Sequence, residues 1–158
     1  MKLHDSLKAF TCRMCGQCCQ GSGGIVADLS EQEKIAEYLD LDLVSFKDRF
    51  IRRKGAKSFV RVNESGWCVF FIRDQGCLVH PVKPRACRAW PFFRGNLMDE
   101  SSFEMAREYC PGIEKRIDFD QFVRQGMDYM QKYGLSLDLE EESAAALHVE
   151  DIRSAMTK

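Results

Sequence analysis

The sequence predicts an α+β fold: a small domain with a short β-hairpin, surrounding helices and a helical C-terminal segment. Three observations support this class. Apolar residues recur at helical spacing behind capping residues, two short runs flank turn residues as strands do, and eight of the 158 residues are cysteine. With 45% hydrophobic residues, the chain can bury a core of its own without disulfide staples.

Two helices are predicted in the first third of the chain. The stretch LSEQEKIAEYL has Ser30 as its N-cap and Glu33 as the second member of a capping box. The stretch DLVSFKDRFIRR is capped by Asp42 or Ser45, and its two phenylalanines lie four positions apart on one helix face.

The remaining helices are predicted after the middle of the chain. A short helix starts at Pro84, because proline is favoured in a first helical turn. The stretch DESSFEMAREYCPG fits either a strand and turn or a helix that ends at Cys110. DFDQFVRQGMDYMQKYG predicts a helix with Asp118 as cap, Gln121 in the box and Gly134 beyond its end. LDLEEESAAALHVEDIRSAM predicts a further helical segment.

The β-hairpin is predicted in the middle of the chain. SFVRV alternates apolar and polar residues as a strand does, NESG has turn chemistry, and WCVFFI reads as the returning strand. RDQGC is a second turn, with Gly76 directly before Cys77.

Charge is distributed unevenly along the chain. Residues 1–95 contain 16 Lys and Arg against 10 Asp and Glu, whereas residues 96–158 contain 7 against 14. One interpretation is that both parts form solvated surfaces of opposite charge. The other is that the positive charge of the basic part offsets a thiolate-rich site. The formal net charge of −1 argues against a dedicated nucleic-acid binder.

The sequence also bears on location. The N-terminal stretch MKLHDSLKAFTCRMC lacks the apolar run of a secretory signal, and no stretch approaches 18 consecutive apolar residues. We therefore expect a cytoplasmic protein without a membrane segment, in a compartment where disulfides are rare.

The cysteines form the most informative pattern. Four occur as C-x₂-C-x₂-C-C, and the others are spread beyond it. They are Cys12, Cys15, Cys18, Cys19, Cys68, Cys77, Cys87 and Cys110. A disulfide framework would need an oxidising compartment. Burial as small hydrophobic residues is the usual role of isolated cysteines, but the flanks of the first four are polar.

Metal coordination explains the cysteine pattern best. A turn brings the sulfurs of a C-x₂-C pair together, and thiolates are ligands for zinc and for iron–sulfur clusters. The eight cysteines are therefore all candidate ligands, of zinc or of an iron–sulfur cluster such as [4Fe–4S]. Because neighbouring side chains diverge, Cys18 and Cys19 favour two centres over one. His80, three residues after Cys77, is expected to support the site rather than ligate.

The full pattern resembles a known family. Its parts are F-x-C-x-x-C-G-x-C-C, C-x-F, C-x-V-H-x-x-K-P-x-x-C-R-x-W-P-F and C-P-G. Together they are similar to the YkgJ-type cysteine-cluster family, the CxxCxxCC zinc- or iron-chelating domain. That family usually has Tyr and Arg-Pro where this chain has His80 and Lys83-Pro84.

The resemblance implies a metal-binding domain over residues 10–112, with a helical extension over 113–158 packed on it. Two alternatives stay open. One is a cluster-dependent enzyme similar to the flagellin lysine N-methylase, which has a comparable cysteine block. The other is a zinc-dependent adaptor whose acidic C-terminal helices contact a protein partner. Whether the protein is an enzyme is undecided by its motifs. Metal ions are the expected partners, and neither nucleic acid nor a membrane is expected.

Overall fold

The computed structural model describes residues 7–21 and 24–135, which form two compact units. The central unit is Met14–Arg88, and the terminal unit joins the described parts of Met1–Arg13 and Ala89–Lys158. The α+β class is confirmed, because the described residues contain six α-helices and two two-stranded antiparallel sheets. The predicted boundary between 10–112 and 113–158 stays a prediction, and the compact units follow a different division.

The central unit contains the two sheets and the first helices. Along the chain its elements are α1 (Leu29–Tyr38), α2 (Leu43–Phe50), β1 (Ile51–Lys54), β2 (Lys57–Val60), β3 (Phe71–Ile72), β4 (Gly76–Cys77) and most of α3 (Arg85–Ala89). Its core is built around the rings of Phe46, Phe50 and Phe70. The centroids of Phe50 and Phe70 lie 5.0 Å apart.

The terminal unit is helical, with α4 (Arg94–Met98), α5 (Glu100–Tyr109) and α6 (Phe119–Lys132). Phe122 on α6 lies 4.6 Å from Phe103 and 5.0 Å from Phe92, centroid to centroid. Gln125 of α6 donates to the Leu7 carbonyl and accepts from the Ala9 amide, both at 2.7 Å. The N-terminal segment is thereby held on the helix.

The predicted hairpin is confirmed next to its turn, whereas the regular strand β2 has a different partner. β2 pairs with β1, in the register Ile51 with Val60, and not with the stretch WCVFFI. Across the NESG turn, Val62 bridges Cys68, the Asn63 amide donates to the Trp67 carbonyl at 2.8 Å, and the Val69 amide donates to the Arg61 carbonyl at 3.0 Å. The pairing of β2 with β1 arises because α2 stops at Phe50 and Ile51 becomes extended, so IRRK folds back over Gly55, whose φ of +61° suits a tight turn. The predicted RDQGC turn joins β3 to β4.

The predicted N-cap of α1 is wrong by two residues. Asp28, not Ser30, is the cap, and Glu31, not Glu33, completes the box. Each carboxylate accepts the other residue's backbone N–H, at 2.9 Å and 2.8 Å. The same three-residue spacing occurs twice in ADLSEQE, and the structure uses the earlier copy.

The other helix ends follow the sequence signals closely. Asp42 caps α2, a helix ending at Cys110 replaces the strand alternative, and α3 starts directly after Pro84. Asp118 and Gln121 form the capping box of α6. Gly134, at φ +59°, ends it in a Schellman arrangement, with Leu135 N–H donating to Met130 O at 2.9 Å.

Two segments predicted from the sequence are not covered, or only partly covered, by the described residues. The acidic helical segment after the predicted Gly134 stop lies outside the described residues, as does most of the N-terminal leader. Within residues 7–21 and 24–135, no helix is long and apolar enough to span a bilayer.

Substitution of two helical glycines, Gly126 and Gly95, should have opposite effects on stability, because their surroundings differ. A Cβ at Gly126 in α6 would lie 2.6 Å from Phe92 Cδ1 and 2.8 Å from Leu97 Cδ2, whereas one at Gly95 in α4 meets nothing within 4 Å. We expect Gly126→Ala to lower the free energy of unfolding by about 1–3 kcal/mol through overpacking. The control Gly95→Ala should leave it unchanged or raise it by up to about 1 kcal/mol. Urea denaturation of both variants measures this, and equal effects would contradict the close approach.

Candidate metal centre

The cysteine run folds as a tight turn. Met14 at φ +51° and Gly16 at φ +83° precede a 3₁₀ helix, Gln17–Cys19, and the Cys19 amide donates to the Gly16 carbonyl at 2.9 Å. A Cβ at Gly16 would lie 2.3 Å from Phe71 Cζ, so a side chain is excluded there. The glycine in C-G-x-C-C is therefore needed both for its φ and for the ring of Phe71.

A short stretch of antiparallel pairing joins the run to the next cysteine. The Cys68 amide donates to the Cys19 carbonyl at 2.7 Å, and Gln20 forms a bridge with Trp67. The Gly21 amide then donates to the Gly66 carbonyl at 2.8 Å. These bonds bring the backbones of Cys19 and Cys68 together although they are distant in sequence.

The β3–β4 hairpin adds Cys77 to this neighbourhood. Phe71 and Cys77 are direct partners across the hairpin, whose turn has Asp74 and Gly76 at positive φ. The Phe71 amide donates to the Cys68 carbonyl at 2.9 Å, which ties the hairpin to that cysteine. Phe71 therefore lies under Gly16 and beside Cys77 at the same time.

Cys87 is supplied by α3, and the start of that helix is held by α1. The Glu31 carboxylate, already in the α1 capping box, also accepts the Arg85 backbone N–H at 2.6 Å through its second oxygen. The Arg85 guanidinium donates to Asp28 at 2.7 Å. One carboxylate thus caps two helices. The sequence analysis missed this role because it placed the box at Ser30 and Glu33.

Five thiols of the central unit influence one another electrostatically. We call Cys18, Cys19, Cys68, Cys77 and Cys87 the thiol cluster. Burial, followed by the neighbouring thiols, raises the pKa of Cys87, and burial is also the main cause of the raised pKa of Cys68. The pKa of Cys19 is raised chiefly by its hydrogen bond to Cys18, then by burial and by the adjacent thiols. Crowded thiolates repel each other, so most of the cluster favours the protonated form.

Cys18 behaves in the opposite way. Its pKa is lowered to about 6, first by the hydrogen bond that it shares with Cys19, and further by the positive charge of Lys83. The thiol of Cys19 donates and the thiolate of Cys18 accepts. The two adjacent thiols therefore do not ionise independently, because each alters the pKa of the other.

Lys83 is a cation that acts on the thiol cluster, since its charge lowers the pKa of Cys18 and opposes the rise in the pKa of Cys87. Its Nζ lies 3.4 Å from Nε2 of His80. Burial first, and then Lys83 and Arg88, lower the pKa of His80, which favours a neutral imidazole at neutral pH. Arg88 donates to the carbonyls of Lys83 and Pro81, so it fixes the loop backbone.

The other three cysteines differ in position. Cys15 belongs to the central unit but is exposed. Cys12 and Cys110 belong to the terminal unit. There, Phe10 forms a bridge with Ile113, and the Thr11 amide donates to the Gly112 carbonyl at 2.9 Å. This pairing carries Cys12 alongside the segment that follows Cys110 at the end of α5.

None of the eight cysteines forms a disulfide. Within the described residues, no three His, Cys, Asp or Glu side chains are already disposed around a common ion position. The donor chemistry nevertheless fits a thiophilic metal, because thiolates suit zinc and iron far better than magnesium or calcium. A bound metal cation would displace the thiol protons, and its positive charge would offset the repulsion between the thiolates of the cluster.

Comparison with known proteins supports the cysteine pattern directly. The family model "CxxCxxCC: Putative zinc- or iron-chelating domain" matches residues 11–111, about two thirds of the chain and all eight cysteines. No solved structure matches the chain.

The shared cap makes α1 and α3 interdependent. Glu31→Ala removes the acceptor of two backbone N–H groups, and we expect it to lower the free energy of unfolding by about 1–2 kcal/mol. It should also speed alkylation of Cys87 in the metal-free protein, because the start of α3 is released. Glu33→Ala is the control, since Glu33 is exposed. Equal effects of the two variants would contradict the observed cap.

The vicinal pair predicts a pH profile. In the metal-free, reduced protein, alkylation of Cys18 should rise with pH and reach half its maximal rate near the pKa of about 6. Cys19→Ala removes the donor, so the pKa of Cys18 should rise and the profile should move to higher pH. Cys19→Ser retains a hydroxyl donor and should shift it less. Peptide mass spectrometry after timed alkylation measures the rate, and identical profiles would refute the hydrogen bond.

Proposed function

The chain belongs to the CxxCxxCC family of zinc- or iron-chelating domains, and we propose that its thiol cluster holds the chelated metal. The observation that carries this proposal is that five cysteines from four separate segments perturb one another's ionisation within one compact unit. Isolated structural cysteines have no need of such crowding, whereas a thiolate site requires it.

The proposed centre is single and lies in the central unit. A Cys₄ site needs four thiolates, and the cluster supplies Cys68, Cys77 and Cys87 together with the vicinal pair. The mutual hydrogen bond of Cys18 and Cys19 supports their sharing one centre. This differs from the two-centre hypothesis drawn from sequence, in which all eight cysteines are ligands.

Positive charge near the cluster supports the same proposal. A metal bound by four thiolates carries about two negative charges, for zinc and for [4Fe–4S]²⁺ alike. The ammonium group of Lys83 reduces the free energy of that charge from outside the ligand set. The reducing cytoplasm is the proposed location, because thiolate ligands have to remain reduced.

Substitution of single cysteines tests the assignment. After anaerobic expression with iron and zinc available, we expect Cys68→Ser and Cys87→Ser to lose most of the bound metal measured by mass spectrometry. Chelation of the wild type should lower its melting temperature, since metal binding and folding are linked. Visible absorption separates the two metals, because iron–sulfur clusters are coloured and thiolate-bound zinc is colourless.

The matched controls are Cys15→Ser and the double variant Cys12→Ser/Cys110→Ser, which lie outside the cluster. They should retain the wild-type metal content. A loss of half the metal in these controls would favour two centres over one. A wild-type protein that folds without metal and binds neither zinc nor iron would overturn the proposal altogether.

A further inference from the structure

The β1–β2 hairpin and the last turn of α2 carry a dense group of positive charges. Between residues 47 and 57 there are six Lys or Arg side chains and a single acid, Asp48. We call this segment the basic hairpin, and all six cations are exposed. They are Lys47, Arg49, Arg52, Arg53, Lys54 and Lys57.

The charge of the basic hairpin is not balanced locally. In the described part of the chain, the ion pairs use other cations, Arg85, Arg107 and Arg116. Lys54 and Lys57 are direct cross-strand partners, an arrangement that destabilises a hairpin. A fold that needed the hairpin for stability alone would gain from one acidic residue at either position.

The spacing of the cations suits a regularly charged polyanion. Arg52 and Lys54 lie on one face of β1, about 6.6 Å apart, which is about twice the rise per phosphate along one nucleic-acid strand. Lys57 adds a second row across the hairpin. Arginine's planar fork matches phosphate oxygens. The guanidinium of Arg52 also lies over the Phe59 ring, 6.0 Å from its centroid.

The hairpin tip lacks the features of a membrane-inserting loop. Gly55 and Ala56 form the turn, with no bulky apolar side chain to enter a lipid layer. Phe59 is half-buried, and its backbone is bridged to Val26. A two-stranded β-ribbon, in contrast, fits the major groove of a duplex.

We propose that the basic hairpin is a docking surface for the phosphate backbone of a nucleic acid. Such contacts are electrostatic and independent of base sequence. The near-neutral charge of the whole chain excludes a uniformly basic protein, but not a local surface of this kind. The expectation of no nucleic-acid partner was drawn from net charge alone, and the proposal departs from it.

The test measures binding of a fluorescein-labelled DNA duplex of about 20 base pairs by anisotropy, at salt concentrations from about 50 to 200 mM. The full chain is used in one fixed metal state. In Arg52→Gln/Lys54→Gln/Lys57→Gln we expect affinity at the lowest salt to fall on the order of a hundredfold. The slope of log K against log salt should become shallower by about 2 to 3.

The matched control removes three exposed cations elsewhere, in Lys34→Gln/Arg73→Gln/Arg124→Gln. It should bind as the wild type does, within about threefold, because only long-range charge is changed. Equal losses in the two triple variants, or wild-type binding by the hairpin variant, would overturn the proposal. Hairpin-dependent binding to polyglutamate or to phosphatidylserine vesicles that equals binding to DNA would also overturn it.

A second variant separates binding from stability. Lys57→Glu replaces the repulsive pair with Lys54 by an attractive one. We expect the melting temperature to be unchanged or higher while DNA affinity falls. If affinity is retained and the triple hairpin variant instead aggregates, the charges serve to protect the edge of β1, and the proposal fails.

Discussion

The backbone hydrogen bond from Cys68 N–H to Cys19 C=O, 2.7 Å long, is the interaction on which the candidate site depends. It joins the cysteine run to a segment far along the chain, and the β3–β4 hairpin with Cys77 follows directly from that segment. Gly16 makes the approach feasible, because any Cβ there would enter the Phe71 ring. The positions of four thiols therefore follow from one pairing of two loops.

The Glu31 carboxylate provides a second connection between distant segments, because it joins the starts of α1 and α3. It completes the cap of α1 with one oxygen and holds the first amide of α3 with the other. The nearby ion pair between Arg85 and Asp28 is about half exposed and contributes little by itself. The position of Cys87 thus depends on a hydrogen bond to the same carboxylate that caps the start of α1.

The electrostatics of the central unit contain two opposite imbalances. The thiol cluster accumulates groups that cannot all ionise without a cation, whereas the basic hairpin accumulates six cations beside a single acid. Each arrangement costs stability in the isolated chain. Each would be relieved by a ligand of opposite charge, a metal ion at the thiol cluster and a polyanion at the basic hairpin, as we propose for the two sites.

The sequence by itself determined the α+β class, the family, the caps of α2 and α6 and the stop at Gly134, because these depend on a few neighbouring residues. It misplaced the α1 cap by two residues, since ADLSEQE holds two equivalent local signals. It found the pairing across NESG but missed β1 as the partner of β2, because alternation marks a strand without naming its partner. The tertiary structure alone decided that Lys83 acts on Cys18, and that five of the six cysteines in the central unit influence one another. Those outcomes rest on contacts between distant segments, whose geometry local spacing cannot specify.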